Sequence, residues 1–239
     1  MILYGRNPVR EALRGRRRAV QRVWATEAAQ KSEEWLAGAA ELHTADAAWI
    51  EERAGSTDHQ GICAEADGYP YADPTRLLAD EQALVVALDE VQDPHNLGAV
   101  CRVAESAGAA GVVIPERRAA EVTPAAAKAS AGAVEHLPVA RVRNLADWLG
   151  SAKQEGAWIY GAAAGPEAVS YAQPDYSGRV VLVLGSEGKG LRPRVVSACD
   201  QLVQLPQFGR VGSLNVSTAA AALVYGILQF RKLGLDRGP

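Results

Sequence analysis

The chain has 239 residues, enough for one large domain or for a small domain followed by a medium one. Hydrophobic residues make up 48% of it and charged residues 22%, which is sufficient for a real core and ordinary for a globular protein. The formal net charge of −3 argues against a protein that coats nucleic acid nonspecifically, although a local basic patch is compatible with it.

The cysteines, the histidines and the apolar stretches disfavour four further classes: disulfide-rich, metal-binding, secreted and membrane-spanning proteins. Cys63, Cys101 and Cys199 are odd in number and widely spaced, which indicates neither a disulfide framework nor a zinc site and favours the reducing cytoplasm. The four histidines show no metal-ligand spacing, so we expect no metal. The N-terminal stretch MILYGRNPVREALRGRRR lacks the apolar segment of a signal peptide. The most apolar stretch, STAAAALVYGILQF, is shorter than the roughly 20 residues that a membrane span needs.

The first third of the chain alternates short apolar runs with helical patterns. Asn7 followed by Pro8 predicts a helix start, and this helix would run to about Leu13. We then predict a strand over AVQRVWAT, helices over EAAQKSEEWLAGAAEL and ADAAWIEERAG, and a strand over QGICAEAD. These elements predict a compact α/β domain over residues 1–67. The prolines, glycine and aspartates of DGYPYADPTRLLAD predict a linker over residues 68–82.

From Ala83 the pattern becomes regular and predicts a second domain over residues 83–239. The predicted strands are ALVVAL, GVVIP, HLPVARV, AWIYGAAA, RVVLVLG and DQLVQLP. The predicted helices are NLGAVCRVAESAG, TPAAAKASAG, NLADWLGSAKQEG, a short one after Pro193 and a long one from about Ser217. Apolar strands that alternate with helices predict a parallel sheet covered on both faces. Ligand sites in such sheets lie at the carboxyl ends of the strands.

The loop LGSEGKGLRP follows one of these strands and fails the tests for phosphate-binding motifs. A P-loop needs a glycine separated by four residues from the Gly-Lys pair and a Ser or Thr after the pair, and both are missing here. The glycine spacing also excludes the dinucleotide fingerprint and the nucleophile elbow. What remains is a loop that brings main chain close to a ligand and carries Glu187. Taken alone, it is more typical of a tight turn with a solvated glutamate.

Two further strand-end loops carry polar side chains. DPHNLGAVCR places Asn96 in a first helical turn and Arg102 about 9 Å further along the axis, from where its long side chain can reach back toward the strand ends. LPQFGRVGSLNVSTAAAALVYG places Ser213 and Asn215 between a strand and an apolar helix. Each stretch alone is explained by helix caps and a surface arginine. Because all three loops follow strands of one predicted parallel sheet, we expect them to converge on one site.

PHNLGAVCR, LVLGSEGKGL and LPQFGRVGSLNVSTAAA, in this order and spacing, resemble the three motifs of the SpoU/TrmH family of RNA 2'-O-ribose methyltransferases in the SPOUT class. KASAGAVEHLPVARV resembles the family's middle segment. YGRNPVREAL and STDHQGICAEA resemble the start and end of its small RNA-binding domain, which is similar to ribosomal proteins. The resemblance therefore covers essentially the whole chain. It is closest to the bacterial enzymes that methylate a guanosine ribose in 23S ribosomal RNA.

The resemblance implies a fold and a reaction that the residue pattern alone does not establish. It implies an α/β-knot domain, a parallel sheet whose C-terminal segment is threaded into a trefoil knot, behind a small α/β RNA-binding domain. It implies S-adenosylmethionine as methyl donor, RNA as substrate and a homodimer that completes the active site. The apolar helix from about Ala219 to Phe230 fits either the core or such a dimer interface.

The resemblance also implies roles for individual residues. Arg102 corresponds to the catalytic arginine. Because a guanidinium stays protonated and has no acceptor, we interpret it as a phosphate clamp that stabilises alkoxide character, not as a base. Asn96 and Glu187 would orient Arg102, whereas Ser213 and Asn215 would place the ribose. The positions implied for the methyl donor are Ala162, Ala163, Leu184, Gly185, Gly190, Leu205 and Leu214.

The start of the chain is its most basic stretch. It includes Arg6, Arg10, Arg16, Arg17 and Arg18. These arginines form either a solvated helix face or a surface that contacts phosphates of ribosomal RNA.

Two alternatives stay open at the level of sequence. One is the same chemistry on transfer RNA or as a resistance-type methylation of ribosomal RNA. The other is a non-catalytic RNA-binding assembly factor, which would not need Arg102, Glu187 and Asn215.

Overall fold

The computed structural model describes residues 1–210 and 212–235, and the chain in these ranges forms two β-sheets. The strands are β1 (Ile2–Tyr4), β2 (Val20–Ala25), β3 (Leu42–Thr44), β4 (Ile62–Ala66), β5 (Leu84–Asp89), β6 (Gly111–Pro115), β7 (Val139–Val142), β8 (Trp158–Ala162), β9 (Val169–Ser170), β10 (Val180–Gly185) and β11 (Gln201–Gln204). The α-helices are α1 (Arg6–Gly15), α2 (Glu27–Ser32), α3 (Ala47–Ala54), α4 (Pro94–Ser106), α5 (Pro124–Ala129), α6 (Leu145–Gln154), α7 (Pro193–Ala198) and α8 (Val216–Leu235). Short 3-10 turns cover Glu34–Gly38, Thr57–His59, Pro74–Leu78 and Ala133–Glu135.

The small sheet has the order β1-β4-β2-β3, with β4 antiparallel to both of its neighbours and β2 parallel to β3. The long helix predicted over EAAQKSEEWLAGAAEL was wrong. The α-helix ends at Ser32 because Glu33 leaves the helical conformation, with φ −120° and ψ 85°. A 3-10 turn follows, and the chain then forms β3, whose pairing with β2 overrides the helical pattern of the sequence.

The large sheet has the order β7-β6-β5-β10-β8-β11-β9, and every neighbouring pair of strands in it is parallel. This confirms the predicted parallel sheet with helices on both faces. Along β5, Val86 and Leu88 point to the core shared with α4, α5 and α8, whereas Val85 and Ala87 point to the core shared with α6 and α7. The two-residue strand β9 was not predicted, because it is too short to show a pattern. The trefoil knot implied by the resemblance stays a prediction.

The segment predicted as a linker packs against the large sheet. Tyr69 is buried and donates its hydroxyl to the carbonyl oxygens of Val134 and Leu137, at 3.1 and 3.0 Å. Leu77 and Leu78 are buried with the residues of β5 and β7. The segment is therefore built into the core and does not act as a loose tether.

Arg17 and Arg18 lie where the small sheet meets the large one. Arg18 pairs with Glu135, both side chains being 1% exposed, and also donates to the carbonyl oxygen of Asp67 at 3.1 Å. Arg17 donates to the carbonyl oxygen of Leu137 at 2.7 Å. The interpretation of Arg18 as a surface contact to RNA is corrected here, because a buried guanidinium bonded to a carboxylate cannot reach a phosphate. Its role is to join the two sheets.

Helix α8 packs against α4 and contributes Ala220, Leu223 and Ile227 to the core. Its opposite side is polar or exposed, and Tyr225 is half exposed. The apolar C-terminal helix is thus one wall of the core. Over the residues that the structure describes, no helix is both long enough and apolar enough to cross a membrane.

Candidate active site

Helix α4 begins just after β5 and carries the first motif. Asp93 caps it, because its side chain accepts a hydrogen bond from the backbone N–H of His95 at 2.9 Å, and Pro94 occupies the first turn. This start places Asn96 in the first turn at the carboxyl end of β5. There its Nδ2 donates to Oε1 of Glu187 at 3.1 Å.

The loop after β10 is a tight turn that depends on its glycines. Gly188 and Gly190 have φ angles of 79° and 65°, in the left-handed region that favours glycine. A Cβ on Gly185 would collide with the main chain of Gly190, so the loop folds back closely on its own strand. Ser186 and Gly190 pair across the turn. The turn thereby holds Glu187 at its exposed tip.

A buried carboxylate fixes the far end of this loop, and the sequence analysis did not single it out. Asp89, the last residue of β5, is 1% exposed and accepts hydrogen bonds from the backbone N–H and the Nε of Arg192, at 2.8 and 2.7 Å. Because an unpaired buried carboxylate is strongly unfavourable, this pair ties the glycine loop to β5. The signal in the sequence is an aspartate directly after an apolar run, at the carboxyl end of a strand.

The third motif supplies Asn215, the residue before α8. Its Oδ1 accepts hydrogen bonds from the backbone N–H of Ser217 at 2.9 Å and from its hydroxyl at 2.6 Å, as in a helix cap. Its Nδ2 donates to Oε1 of Glu187 at 2.6 Å and to Oδ1 of Asn96 at 3.0 Å. We call Asn96, Glu187 and Asn215 the motif cluster. The structure therefore brings one side chain from each motif into mutual hydrogen-bond contact.

The motif cluster faces solvent and retains bonding capacity. Glu187 and Asn215 are exposed, and a cavity of about 320 Å³ beside them is lined by Asn96, Glu187 and Lys189 among others. Both amide donors bond the same oxygen of Glu187, so its second oxygen has no hydrogen bond within residues 1–210 and 212–235. A polar network with a free acceptor beside a cavity is suited to binding a polar ligand.

Arg102, the predicted catalytic arginine, is exposed on α4 six residues after Asn96. Within the described part of the chain it forms no hydrogen bond or ion pair, so the direct contact predicted with Asn96 and Glu187 is not present there. Six residues turn an α-helix by about 240° and advance it by about 9 Å, which separates the two side chains. The guanidinium is therefore available to a ligand or to a second chain.

The loop between β11 and α8 carries unusually exposed apolar side chains. Phe208 is 97% exposed and Leu214 is 43% exposed. Ser213, predicted to place the ribose, is exposed beside them and makes no hydrogen bond to any described residue. A cavity of about 350 Å³ at the end of β11 is lined by Leu205 and Phe208 among others. This loop combines apolar contact area with a free hydroxyl.

The residues predicted for the methyl donor lie at the carboxyl ends of neighbouring strands. Leu184 of β10 pairs in register with Ala162 of β8, and the N–H of Ala163 donates to the carbonyl oxygen of Val203 in β11 at 3.0 Å. The side chain of Leu184 is buried, so only its main chain can meet a ligand. The residues predicted for the methyl donor that lie at these strand ends or in the adjoining loops are Ala162, Ala163, Leu184, Gly185, Gly190, Leu205 and Leu214.

The cysteine thiols are unsuited to nucleophilic chemistry. Burial raises the pKa of Cys63 and Cys199 to about 11 and that of Cys101 to about 12. A thiol with such a pKa is almost fully protonated at neutral pH, and the thiolate is the reactive form. Among the described residues, no group of three or more His, Cys, Asp or Glu side chains is placed to hold a metal ion.

Known proteins match both parts of the chain. A model of the SpoU rRNA Methylase family matches residues 83–225, and a model described as RNA 2'-O ribose methyltransferase substrate binding matches residues 2–72. YacO of Bacillus subtilis, named as a TrmH family tRNA/rRNA methyltransferase, is 44% identical over 72% of this chain and 71% of its own length. A TrmH family tRNA/rRNA methyltransferase of Staphylococcus haemolyticus is 34% identical over 97% of this chain and 96% of its own length.

Solved structures show the same fold. The SpoU methyltransferase AviRb from Streptomyces viridochromogenes, in complex with AdoMet, superposes with a TM-score of 0.82 at 24% identity, over 97% of this chain and 90% of AviRb. An AdoMet-bound rRNA methyltransferase from Sinorhizobium meliloti superposes with a TM-score of 0.79 at 25% identity, over 95% and 86% of the two chains. With its three motifs meeting at one edge of a parallel sheet, the chain belongs to the SpoU/TrmH family of RNA methyltransferases.

Proposed function

We propose that this protein transfers a methyl group from S-adenosylmethionine to a ribose 2'-hydroxyl of RNA, and that the target is a guanosine of 23S ribosomal RNA. The motif cluster carries the proposal, because it joins three loops of the family's signature at one solvent-facing site. The match of residues 2–72 to a substrate-binding domain of RNA 2'-O ribose methyltransferases supports the ribose hydroxyl as acceptor. The resemblance of the small domain to ribosomal proteins supports ribosomal RNA.

The carboxyl edge of β8, β10 and β11 suits a nucleoside that carries a sulfonium. Exposed Leu214 and the cavity beside Leu205 offer apolar contact to a flat base, and strand-end main chain offers hydrogen bonds to its edge. We place adenine and ribose against the main chain of Gly185, Leu205 and Leu214. We expect Ala162, Ala163, Leu184 and Gly190 to make the other contacts with S-adenosylmethionine. When bound, S-adenosylmethionine supplies a methyl group that is already activated for transfer.

The chain itself must align the acceptor and stabilise the charge that develops on it. The 2'-hydroxyl is a weak acid, so its oxygen gains negative character as the proton passes to solvent and as the bond to the methyl carbon forms in place of the carbon–sulfur bond. The exposed guanidinium of Arg102 would bind the neighbouring phosphate and stabilise this oxygen. Ser213 and Asn215 would hold the ribose, and Asn96 and Glu187 would keep Asn215 in place through the hydrogen bonds described above.

A homodimer would complete this site. Arg102 lies on α4 and has no polar partner in the described part of its own chain, and the helix packed against α4 exposes Tyr225. A second copy on this helix pair would cover the exposed tyrosine and bring further groups to Arg102. Sedimentation equilibrium is expected to give twice the monomer mass. The cytoplasmic location indicated by the cysteines stays a prediction.

The proposal is tested with methyl-tritiated S-adenosylmethionine and three RNAs made by transcription: 23S ribosomal RNA, 16S ribosomal RNA and a set of transfer RNAs. We expect label on 23S RNA, in a nucleotide that nuclease digestion and mass spectrometry identify as 2'-O-methylguanosine. Label on the ribose of transfer RNA alone would support the proposed reaction but identify transfer RNA as the substrate. Label on a base would contradict the proposed reaction. No label on any RNA, including RNA in isolated ribosomal subunits, would favour a non-catalytic RNA-binding factor.

A further inference from the structure

A second concave surface lies on the same edge of the large sheet, at the ends of β6 and β7. It is a groove of about 1160 Å³ formed by the loops after these two strands and by the starts of α6 and α7. Six arginines and two carboxylates line the groove, so it is positively charged although the net charge of the whole chain is −3. We call this surface the arginine groove; its arginines are Arg117, Arg118, Arg141, Arg143, Arg192 and Arg194.

The arginines of the groove are only loosely engaged by the protein, apart from Arg192 and from Arg141, which pairs with Glu121 at 3.0 Å and lies over the ring of Tyr71. Arg118 lies 3.5 Å from Glu90 and is 74% exposed, and Arg194 lies 3.8 Å from Asp147 and is 81% exposed. Exposed pairs of this kind contribute about 0–1 kcal/mol, so a phosphate can replace them at little cost. Within residues 1–210 and 212–235, two further arginines of the groove form no ion pair: Arg117 and Arg143.

The groove is continuous with the motif cluster. In the order β7-β6-β5-β10, the groove lies at the first two strand ends and the motif cluster at the next two. Glu90 lines the cavity beside the motif cluster and pairs with Arg118 and with Arg192, at 3.5 and 3.6 Å. Arg192 itself belongs both to the groove and to the glycine loop that carries Glu187. The groove therefore reaches the proposed site of methylation through Arg192, while its positive charge is concentrated at the ends of β6 and β7.

We propose that the arginine groove binds the sugar–phosphate backbone of the RNA on one side of the nucleotide that receives the methyl group. This inference deepens the proposed function and rests on it. Guanidinium groups match phosphate oxygens in charge and in two-point geometry, and such contacts position a nucleic acid without reading its sequence. The groove is long and open, which suits a strand that passes through it better than a single small anion. An acidic protein segment would be the competing occupant.

The test is the salt dependence of RNA binding by a variant with both substitutions Arg117→Gln and Arg143→Gln. The probe is transcribed 23S ribosomal RNA, and Kd is measured by filter binding between about 50 and 300 mM salt. Each lost phosphate contact lowers the slope of log K against log salt by about 0.7–0.9, so we expect a decrease of 1 to 2 for the pair. Affinity at the lower salt concentration is expected to fall about tenfold or more.

Two control variants keep the test specific. A variant with Arg117→Lys and Arg143→Lys retains both charges and is expected to keep most of the wild-type slope. Lys153→Gln removes a partly exposed charge at the end of α6 that does not line the groove and lies outside residues 2–72, and it is expected to bind RNA as the wild type does. All variants are expected to bind S-adenosylmethionine with unchanged affinity in calorimetry, because the substituted side chains lie outside the proposed donor pocket.

The outcomes separate this inference from the proposed function. An unchanged Kd and slope in the glutamine variant would overturn the groove as an RNA surface, and so would equal losses in the glutamine and lysine variants, because charge would then not be the cause. A wild-type protein that binds RNA through the groove but methylates none would refute the proposed reaction and leave the groove supported. A groove that captures an acidic peptide in preference to RNA would also overturn the inference.

Discussion

Two polar contacts join distant parts of this chain, and they differ in burial. Arg18 and Glu135 join the small sheet to the large one, with 1% of each side chain exposed. The motif cluster joins three loops of the large sheet and is open to solvent. A buried charge must be satisfied by its own partner, so the first contact has nothing left to offer a ligand. The second leaves one oxygen of Glu187 without a hydrogen bond to any side chain that the structure describes. The same kinds of atoms therefore stabilise the fold in one place and are available for chemistry in the other.

The largest expected effect is on stability and comes from the buried pair of Arg18 and Glu135. Glu135→Gln leaves the Arg18 guanidinium buried without a counter-charge, which is expected to lower the free energy of unfolding by about 3–5 kcal/mol. Chemical denaturation measures this loss, and methyl transfer per folded molecule should stay at the wild-type level. The double variant Arg18→Met and Glu135→Leu should recover most of the stability, because no unpaired charge remains. A stable single variant would show that the pair does not hold the two sheets together.

The second largest effect is expected on the rate of methyl transfer, at the solvent-exposed Arg102. Arg102→Ala is expected to lower the single-turnover rate of methyl transfer about 10²–10³-fold, the range for loss of one charge-stabilising donor. Binding of S-adenosylmethionine, measured by calorimetry, should be retained. Arg102→Lys keeps the charge without the two-point geometry and should be intermediate. Loss of donor binding together with activity would contradict the phosphate-clamp role.

Glu187→Gln tests whether the motif cluster positions other groups. It replaces the oxygen that accepts hydrogen bonds from Asn96 and Asn215 with a weaker neutral acceptor. We expect about a tenfold loss in kcat, with the free energy of unfolding unchanged within about 0.5 kcal/mol because the side chain is exposed. If Glu187→Gln instead lowers the free energy of unfolding strongly and leaves kcat per folded molecule unchanged, then Glu187 stabilises the fold as Glu135 does and does not position other groups.

The smallest effect concerns a further contact between the small and the large domain, at Glu11, which pairs with His136. Burial raises the pKa of this carboxyl, but the hydrogen bonds from His136 and Arg10 together with the positive charges of Arg10 and Arg14 outweigh it, so that the pKa lies below its ordinary value of 4.5. A lowered pKa means that the ionised carboxylate stabilises the folded state above pH 4.5 and that this stabilisation is lost as the pH falls further.

Glu11→Gln removes that dependence. The free energy of unfolding of the wild type should fall more steeply below pH 4.5 than that of the variant, by about 1 kcal/mol or less. Urea unfolding at a series of pH values measures the difference. Parallel pH profiles in the two proteins would show that the contact between Glu11 and His136 contributes nothing to stability.

Much of the fold could be predicted from local pattern. The strands of the large sheet are apolar runs such as RVVLVLG, and the loops that follow them carry the polar residues of the motif cluster. The break at Glu33 and the strand β3 could not be predicted, because they depend on pairing with β2. The burial of Arg18 could not be predicted either, because its partner Glu135 is 117 residues away in a different part of the fold.

The site was predicted less completely than the fold. Spacing correctly indicated that Asn96, Glu187 and Asn215 would come together, since strand ends of a parallel sheet share one edge. The family resemblance further implied that Asn96 and Glu187 would orient Arg102, whereas the turn of α4 separates that side chain from Asn96. Asp89 and the arginine groove were missed, because a carboxylate at a strand end and scattered arginines acquire meaning only when their neighbours are known.

Methylation of the 2'-oxygen of a ribose in RNA is the reaction that we propose for this site. The most direct measurement uses S-adenosylmethionine with a trideuterated methyl group and unmodified 23S ribosomal RNA, followed by complete digestion to nucleosides and mass spectrometry. We expect trideuteromethyl on the ribose oxygen of guanosine with the wild-type protein and its near absence with Arg102→Ala. Trideuteromethyl on a base, or equal labelling by the two proteins, would contradict it.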